Sequence, residues 1–150
     1  MAGAINRTLR FECGGLALDD AVNETQECRV YEEDAWYSMI EYVLFLKHRK
    51  AYEYACESAM GKRVLDFGCG SGYGTARLAK AAASVIGVDA SQPAIAYAQE
   101  HYRADNLKFR RIPPDCTLPF DDDTFDMAVS FQVIEHMPDV AAYLRLLKRI

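Results

Sequence analysis

The chain has 150 residues, of which 51% are hydrophobic and 26% charged, and its formal net charge is −5. These totals predict one soluble globular domain and argue against nucleic acid or an anionic membrane as the main partner, although an acidic total is compatible with a local basic groove. The five cysteines form no CxxC pair and no metal-ligand spacing, so we expect reduced thiols in a cytoplasmic protein without a bound metal.

The first 60 residues are predicted to form an arm followed by a helical cap. Residues 1–30 show no clear period, and their beginning lacks the apolar core of a signal peptide. From Asp34 onward apolar residues recur at helical spacing, and the longest apolar patch is too short to span a bilayer. The basic run at 47–50 lies within this pattern and predicts a break between two helices, and Gly61 ends the pattern.

Strands and helices alternate from residue 61 to the end of the chain. The helix predicted at 91–102 has clear start signals, since Ser91 is suited to the N-cap position and Pro93 to the first turn. This alternation predicts parallel βαβ units in an open α/β sheet. Strands are predicted at 63–67, 84–89, 107–112 and 125–134, and helices at 73–81, 91–102 and 139–150.

The run VLDFGCGSGYGT, residues 64–75, places four glycines at alternate positions directly after the first strand. Ligands of open α/β sheets bind beyond the carboxyl ends of the strands, where glycines let the backbone approach a ligand ahead of a helix. The dinucleotide spacing GxGxxG fails in both registers, because its last position falls on Tyr73 or Thr75. A nicotinamide oxidoreductase is therefore disfavoured, and the spacing that fits is DxGxGxG, from Asp66 to Gly72.

This glycine run resembles the first motif of the class I S-adenosylmethionine-dependent methyltransferases, with a type 11-like methyltransferase domain. VIGVDAS at 85–91 resembles the second motif, and LPFDDDTFDMAVSFQVIEHMPD at 118–139 resembles the segment around the fourth strand. The resemblance implies a Rossmann-like, doubly wound parallel sheet, S-adenosylmethionine as the cofactor, and methyl transfer by SN2 displacement. It covers residues 61–150, so we assign 1–60 to the arm and helical cap and 61–150 to the cofactor-binding core.

The resemblance also implies which residues contact the cofactor. Asp66 would orient the amino acid end of the donor, and Asp89 would accept both ribose hydroxyls; the alternative role of both is to cap turns. The family's aspartate for the adenine falls on Pro114 here, so either Asp115 reaches the adenine or the backbone near Cys116 does. The complete predicted set is Asp66, Gly68, Cys69, Gly70, Gly72, Asp89, Ala90, Asp115, Cys116, Gln132 and Tyr31.

The transfer step requires little chemistry from the protein, because the donor's sulfonium is already activated and the acceptor must chiefly be aligned. A base is needed only if the acceptor loses a proton. His136, just past the fourth strand, is the predicted base, and the alternative is that it only forms a local hydrogen bond. Some metal-dependent relatives that methylate RNA 3′ ends have ExxEH here, but Gln132 replaces the first ligand, so that function is a minor alternative.

The acceptor is predicted to be an oxygen or nitrogen of a small molecule or a glycan, because residues 48–74 resemble a bacterial branch often found near surface-polysaccharide genes. Tyr31 is the predicted contact of the helical cap, whereas Trp36, Tyr37, Tyr42 and Tyr52 are predicted to pack in the core.

The resembling family has seven strands in the order 3-2-1-4-5-7-6, and this chain supplies four. We therefore expect it to be truncated after the fourth strand, with an exposed strand edge that favours self-association. A truncated fold leaves a second class of function open, a non-catalytic cofactor-binding or interaction module.

Overall fold

The computed structural model of the protein describes residues 39–115 and 117–150. The predictions for Tyr31, Trp36, Tyr37, Cys116 and the arm at 1–30 therefore lie outside the described residues. The elements, in chain order, are α1 (Met39–Ala59), β1 (Arg63–Phe67), α2 (Tyr73–Leu78), β2 (Ser84–Asp89), α3 (Gln92–His101), β3 (Leu107–Arg111), β4 (Met127–Val129), a short 3₁₀ helix (Ile134–His136) and α4 (Val140–Arg149).

The four strands form one parallel sheet in the order β3-β2-β1-β4, which confirms the predicted α/β class and strand order. Val64 in β1 lies opposite Val85 in β2 and Met127 in β4. Because all four strands run the same way, their carboxyl ends meet at one edge of the sheet. The residues that follow β1 and β2 are therefore neighbours in space, although about twenty positions separate them in the sequence.

Each face of the sheet is covered by its own hydrophobic cluster, because successive side chains of a strand point to opposite faces. Helices α1 and α2 cover one face, and α4 with the loop before β4 covers the other. The first cluster contains Tyr52, Ala55, Ala59, Val64, Leu78, Ala82, Val85 and Val129. The second contains Leu65, Phe67, Val88, Ile112, Leu118, Met137, Tyr143 and Ile150.

Helix α1 is continuous, so the predicted break at residues 47–50 is wrong. Two of its basic residues pair along the helix instead, with Arg49 Nε 3.5 Å and Lys50 Nζ 2.6 Å from the Glu53 carboxylate. Pairs at these spacings support a helix rather than interrupt it. Tyr52 is buried as predicted, but Tyr42 is 40% exposed, which contradicts its predicted place in the core.

Strand β4 is much shorter than predicted, covering only Met127–Val129 of the segment 125–134. The chain leaves the sheet because Gln132 adopts a φ of +58°, in the left-handed region, and the 3₁₀ helix follows. Periodicity did not reveal this turn, since residues 131–134 are as apolar as a buried strand. The segment that carries the predicted base is therefore a turn beyond the strand.

The β3 edge of the described sheet is protected against pairing with another strand. At the β3 edge, Lys108 and Arg110 are exposed, and Gln99 Nε2 donates a hydrogen bond to the Phe109 carbonyl at 3.0 Å. Charged side chains and covered backbone groups are common defences of an edge strand. Self-association through the β4 edge stays a prediction.

None of the helices described between residues 39 and 150 is long and apolar enough to cross a membrane.

Asn106 caps the carboxyl end of α2 from a distance, its Nδ2 donating to the carbonyls of Ala79 at 2.8 Å and Ala82 at 3.1 Å. Carbonyls at a helix end have no partner within the helix. We expect Asn106→Ala to lower the free energy of unfolding by about 1–2 kcal/mol in urea denaturation. The neighbouring substitution Asp105→Ala, at an exposed position, is the control and should change it by less than about 0.5 kcal/mol. Equal losses in the two variants would contradict the capping role.

Candidate functional site

The glycine turn, residues 68–72, joins β1 to α2 at the carboxyl edge of the sheet. Gly68, Gly70 and Gly72 have φ values of +77°, +53° and +86°, in the region that favours glycine. The N–H groups of Gly68 and Cys69 donate to the Val88 carbonyl at 2.8 and 3.0 Å, which ties the turn to β2. The turn is therefore a fixed bend between two strands and the start of α2.

Two of these glycines are required by the protein's own packing as well as by their φ values. A Cβ on Gly68 would lie 2.3 Å from Cγ2 of Val133, a residue of the turn after β4. A Cβ on Gly72 would lie 2.6 Å from the Ala98 Cβ and 2.8 Å from the Phe109 ring. The sequence had suggested a ligand as the reason for these glycines, whereas neighbouring side chains already account for Gly68 and Gly72.

Asp89 ends β2 and is nearly buried, at 8% exposure. Its Oδ2 accepts from the Gly70 N–H at 2.9 Å, and its Oδ1 accepts from the Ser91 N–H at 2.8 Å. The carboxylate thus holds the glycine turn and the start of α3 together, which is the turn-capping role foreseen as the alternative. Its contact with a ribose stays a prediction.

Asp66 has a fully buried side chain, at 0% exposure, that faces the helices rather than open space. Tyr52 Oη lies 3.1 Å from Oδ1 and 3.0 Å from Oδ2, and Thr75 Oγ1 donates to Oδ2 at 2.7 Å. Burial raises the pKa of Asp66 to about 7, with a smaller upward contribution from Asp89, against the hydrogen bonds of Thr75 and Tyr52. A direct contact of Asp66 with a ligand stays a prediction.

An aromatic cluster of His48, Tyr52, Tyr73 and Phe131 packs α1 against the start of α2 and the turn after β4. The Tyr52 ring lies 4.9 Å from that of Phe131 and 5.1 Å from that of His48, between centroids. Tyr73 Oη lies 2.5 Å from His48 Nδ1, and burial lowers the pKa of His48. A Cβ on Gly74 would lie only 2.1 Å from the Tyr52 ring, so α1 contacts the beginning of α2 without a gap.

Sequence reasoning missed the roles of Tyr52, Thr75 and His48 at this edge. Tyr52 was expected only in the core, Thr75 entered only as a failed glycine position, and His48 lay in the run expected to break the helix. The single available signal was the apolar spacing of α1, which gives the buried face but not the sheet residues that this face contacts.

Three further predicted residues, Asp115, Ala90 and Cys69, range from exposed to buried. Asp115 is exposed, and its Oδ1 accepts from the Thr117 N–H at 2.9 Å, a turn contact that lowers the pKa of Asp115. The Ala90 carbonyl accepts from Arg111 Nε at 3.2 Å. The Cys69 side chain is buried, which raises the pKa of its thiol. None of these contacts tests a role in binding.

Gln132 and His136 are both exposed in the segment after β4. Val133, between them, contacts the glycine turn at Gly68, so the segment lies beside the turn. The His136 N–H donates to the Val133 carbonyl at 2.9 Å, which fixes the backbone of the 3₁₀ helix. Within residues 39–115 and 117–150, no three His, Cys, Asp or Glu side chains cluster as a metal site requires. The predicted role of His136 as a base is not tested by these contacts.

The chemistry of the turn suits S-adenosylmethionine, which carries an ammonium and a sulfonium but no phosphate. Two carboxyl groups, of Asp66 and Asp89, lie near the turn and interact electrostatically, because Asp89 raises the pKa of Asp66. Carboxylates favour a nearby cation and disfavour a phosphate. The residues present are therefore compatible with this positively charged nucleoside.

Comparison with known proteins agrees with this chemistry. Residues 65–150 match the family described as a methyltransferase domain. A probable S-adenosylmethionine-dependent methyltransferase of Mycolicibacterium smegmatis is 32% identical over 113 residues, 75% of this chain and 40% of that protein. A ubiquinone biosynthesis O-methyltransferase of Methylococcus capsulatus is 35% identical over 106 residues, 67% of this chain and 45% of that protein.

Solved structures give the same family. The structure of an S-adenosylmethionine-dependent methyltransferase from Mesorhizobium loti superposes with a TM-score of 0.57 and 27% identity, over 63% of this chain and 46% of that one. The chain therefore spans less than half the length of each of these three relatives.

Proposed function

The chain belongs to the S-adenosylmethionine-dependent methyltransferase domain family, and from this membership we propose that it binds the methyl donor for transfer to an oxygen or nitrogen of a small-molecule or glycan acceptor. The observation that carries the proposal is the contact of the Asp89 carboxylate with the Gly70 N–H, which joins the end of β2 to the glycine turn. A related O-methyltransferase favours oxygen as the acceptor atom.

In this proposal Asp89 binds the donor's ribose while it continues to hold the turn. A carboxylate can accept about four hydrogen bonds, so capping the turn and accepting from two ribose hydroxyls are compatible. When bound, S-adenosylmethionine supplies a methyl group on a positively charged sulfur, which becomes a neutral thioether after the acceptor's lone pair takes the methyl carbon. The turn residues Gly68 to Gly72 fix where the donor lies, and alignment supplies most of the rate enhancement.

The segment after β4 faces the acceptor in the same proposal. His136 accepts the proton of an acceptor hydroxyl at an imidazole nitrogen, and its exposed position leaves the ring accessible to an incoming molecule. Gln132 lines the methionyl end of the donor. Phe131, next to Gln132, packs its ring against the buried Tyr52 ring at 4.9 Å between centroids. Water is thereby kept from this side of the site.

Removal of the Asp89 carboxylate gives the most direct test of donor binding. We expect Asp89→Ala to weaken the binding of S-adenosylhomocysteine by about 2 kcal/mol, or roughly 30-fold, through the loss of charge-assisted hydrogen bonds. Isothermal titration calorimetry at constant pH measures this loss. The matched control is Asp105→Ala, which removes an exposed carboxylate elsewhere and should bind as the wild type does. Unchanged affinity in Asp89→Ala would refute the ribose assignment.

A non-catalytic cofactor-binding module is the second candidate function, favoured by the short span of this chain relative to the proteins it resembles. The two candidates differ in turnover, because both bind the donor but only the enzyme produces S-adenosylhomocysteine. A panel of phenolic, amine, sugar and RNA acceptors, with and without added Mg²⁺, tests for this product. Tight donor binding without product from any acceptor would favour the module, and product only with Mg²⁺ and RNA would favour metal-assisted RNA methylation.

A further inference from the structure

Among the described residues, the Asp66 carboxyl group is held by two hydroxyl groups and takes part in no ion pair. Its side chain is fully buried, and Asp66 lies in β1 two residues before the glycine turn. A buried carboxylate normally requires a cation or several N–H donors, since burial disfavours the charged form. Tyr52 and Thr75 supply neither, so the surroundings of Asp66 do not strongly favour its ionised form.

The position of Tyr52 suits both protonation states of Asp66. Its Oη is almost equidistant from the two carboxyl oxygens, at 3.1 and 3.0 Å. A phenol hydroxyl can donate one hydrogen bond and accept others. Tyr52 can therefore donate to an ionised Asp66, or accept from the O–H of a protonated Asp66, without any movement of heavy atoms.

The titratable groups that face Asp66 directly from the surrounding elements are acids, and the base His48 of α1 lies behind Tyr52, with 5.1 Å between the ring centroids. Asp89 faces it from β2, Cys69 from the glycine turn and Tyr52 from α1, and Tyr73 of α2 faces Tyr52 in turn. Of these groups, Asp89 disfavours a negative charge on Asp66, whereas the hydroxyl of Tyr52 favours it through its hydrogen bond. Burial, with a smaller contribution from Asp89, raises the pKa of Asp66 to about 7 against the hydrogen bonds of Tyr52 and Thr75. A positive charge brought to the turn would therefore favour the ionised form of Asp66 at neutral pH.

We propose that Asp66 releases its proton when the positively charged donor binds at the glycine turn, and that Tyr52 is the positioning residue that sets the pH of this release. The inference rests on the donor site proposed above. The proton passes from a carboxyl oxygen of Asp66 to the solvent, and the carboxylate that remains accepts from Tyr52 and Thr75. Helix α1 thereby influences donor binding, because the hydroxyl of its buried residue Tyr52 stabilises the Asp66 carboxylate without contacting the donor.

Calorimetric titration with S-adenosylhomocysteine measures the proton release directly, because this compound keeps the donor's ammonium group. A released proton is taken up by the buffer, and phosphate and Tris differ in their enthalpy of protonation. At pH 7 the observed binding enthalpies in the two buffers should therefore differ by about half of that difference, which corresponds to about half a proton released per binding event. The binding constant should rise about tenfold between pH 6 and pH 8, since ionisation of Asp66 is coupled to binding over that range. Asp66→Asn should abolish both effects.

Tyr52→Phe separates a positioning role from a structural one, since the ring that packs against Gly74 is kept and only the hydroxyl is lost. A carboxylate without this donor ionises at higher pH, so the rise in affinity should move to higher pH and affinity at pH 7 should fall several-fold. At pH 9 the variant should bind as the wild type does. Thr75→Val, which removes the second hydroxyl at nearly constant volume, should shift the profile in the same direction.

Tyr54→Phe is the matched control, because Tyr54 lies on the same helix with a side chain that is 74% exposed. Its pH profile should coincide with that of the wild type. Wild-type binding without proton release, or an equal loss of affinity at every pH in Tyr52→Phe, would overturn the inference while leaving the donor site intact. An absence of binding at every pH in the wild type would overturn the donor site as well.

Discussion

Gly72→Ala is expected to lower the free energy of unfolding by about 3 kcal/mol or more and to abolish binding at the glycine turn. The residue has a φ of +86°, which costs an L-residue about 1–2 kcal/mol. The added Cβ would also lie 2.6 Å from the Ala98 Cβ and 2.8 Å from the Phe109 ring. Both neighbours are buried, Ala98 in α3 and Phe109 in β3, so relieving the overlap requires the turn to move, at a further cost of about 1–3 kcal/mol.

Gly61→Ala is the control that separates backbone strain from packing. Gly61 has a φ of +70°, but a Cβ there would meet no atom within 4 Å. Urea denaturation should therefore show a loss of only about 1–2 kcal/mol, from conformation alone. Titration with S-adenosylhomocysteine should show normal affinity in Gly61→Ala and none in Gly72→Ala. Equal losses of stability in the two variants would mean that the contacts with Ala98 and Phe109 do not restrict the turn.

Local sequence signals were sufficient for the elements whose boundaries depend on local chemistry. β1 and β2 were predicted correctly because each is a short apolar run between turn residues. The start of α3 was predicted from Ser91, whose side chain accepts from the Ala94 N–H at 3.3 Å. The strand order was predicted from the resemblance to the methyltransferase family, and the sheet has that order.

The errors arose where long-range contacts decide the structure. The basic residues of α1 do not break the helix because Arg49 and Lys50 pair with Glu53, and the helix is held by contacts with residues far along the chain. β4 ends early because the turn after it must place Val133 against Gly68. The pairs with Glu53 lie within about one turn of helix and were a local signal that was missed. The packing of α1 on the sheet and the contact of Val133 with Gly68 cannot be read from a window of ten residues, because the partners are far apart in the sequence.

The candidate site shows the same division between local and distant causes. The motif led to Asp66 and Asp89, and the structure places both near the glycine turn. It did not reveal that the Asp66 carboxyl is enclosed by Tyr52, from a helix that precedes the residues matching the family at 65–150. How a helix docks on a sheet depends on the complete surfaces of both, so Tyr52 could be predicted as buried but not as the partner of Asp66.

Helix α1, which lies in the predicted helical cap, packs directly on β1 and α2, and the division of the chain at residue 60 stays a prediction. Ala55 and Ala59 of α1 share a hydrophobic cluster with Val64 of β1, and Tyr52 contacts the first turn of α2 at Gly74. An aromatic residue so close to a glycine leaves no space for movement of one helix past the other. A displacement of α1 would consequently change the surroundings of Asp66 and with them the charge at the site.

The buried Asp66 should also make the stability of the protein fall as the pH rises toward neutrality. Its folded-state pKa of about 7 lies above the ordinary value of 3.8, so the folded protein holds the proton more tightly than the unfolded chain does. The resulting stabilisation is complete below about pH 4 and is lost between about pH 4 and pH 7, on the order of 4 kcal/mol in total. Asp66→Asn is neutral at every pH and should lack this dependence, so its stability relative to the wild type should rise by about 1.4 kcal/mol per pH unit between pH 5 and pH 7.

Urea denaturation of Asp66→Asn and wild type at pH 5, 6, 7 and 8 measures this difference, which should level off above pH 7. Asp126→Asn is a control of opposite sign, because the Arg63 guanidinium lowers the pKa of the exposed Asp126 carboxyl to about 2. The stabilisation by Asp126 is lost only as the pH falls from about 4 to about 2, so its variant should run parallel to the wild type from pH 5 to pH 8. If Asp66→Asn also runs parallel over that range, Asp66 is already ionised in the folded protein, and Tyr52 and Thr75 stabilise the carboxylate far more strongly than their geometry implies.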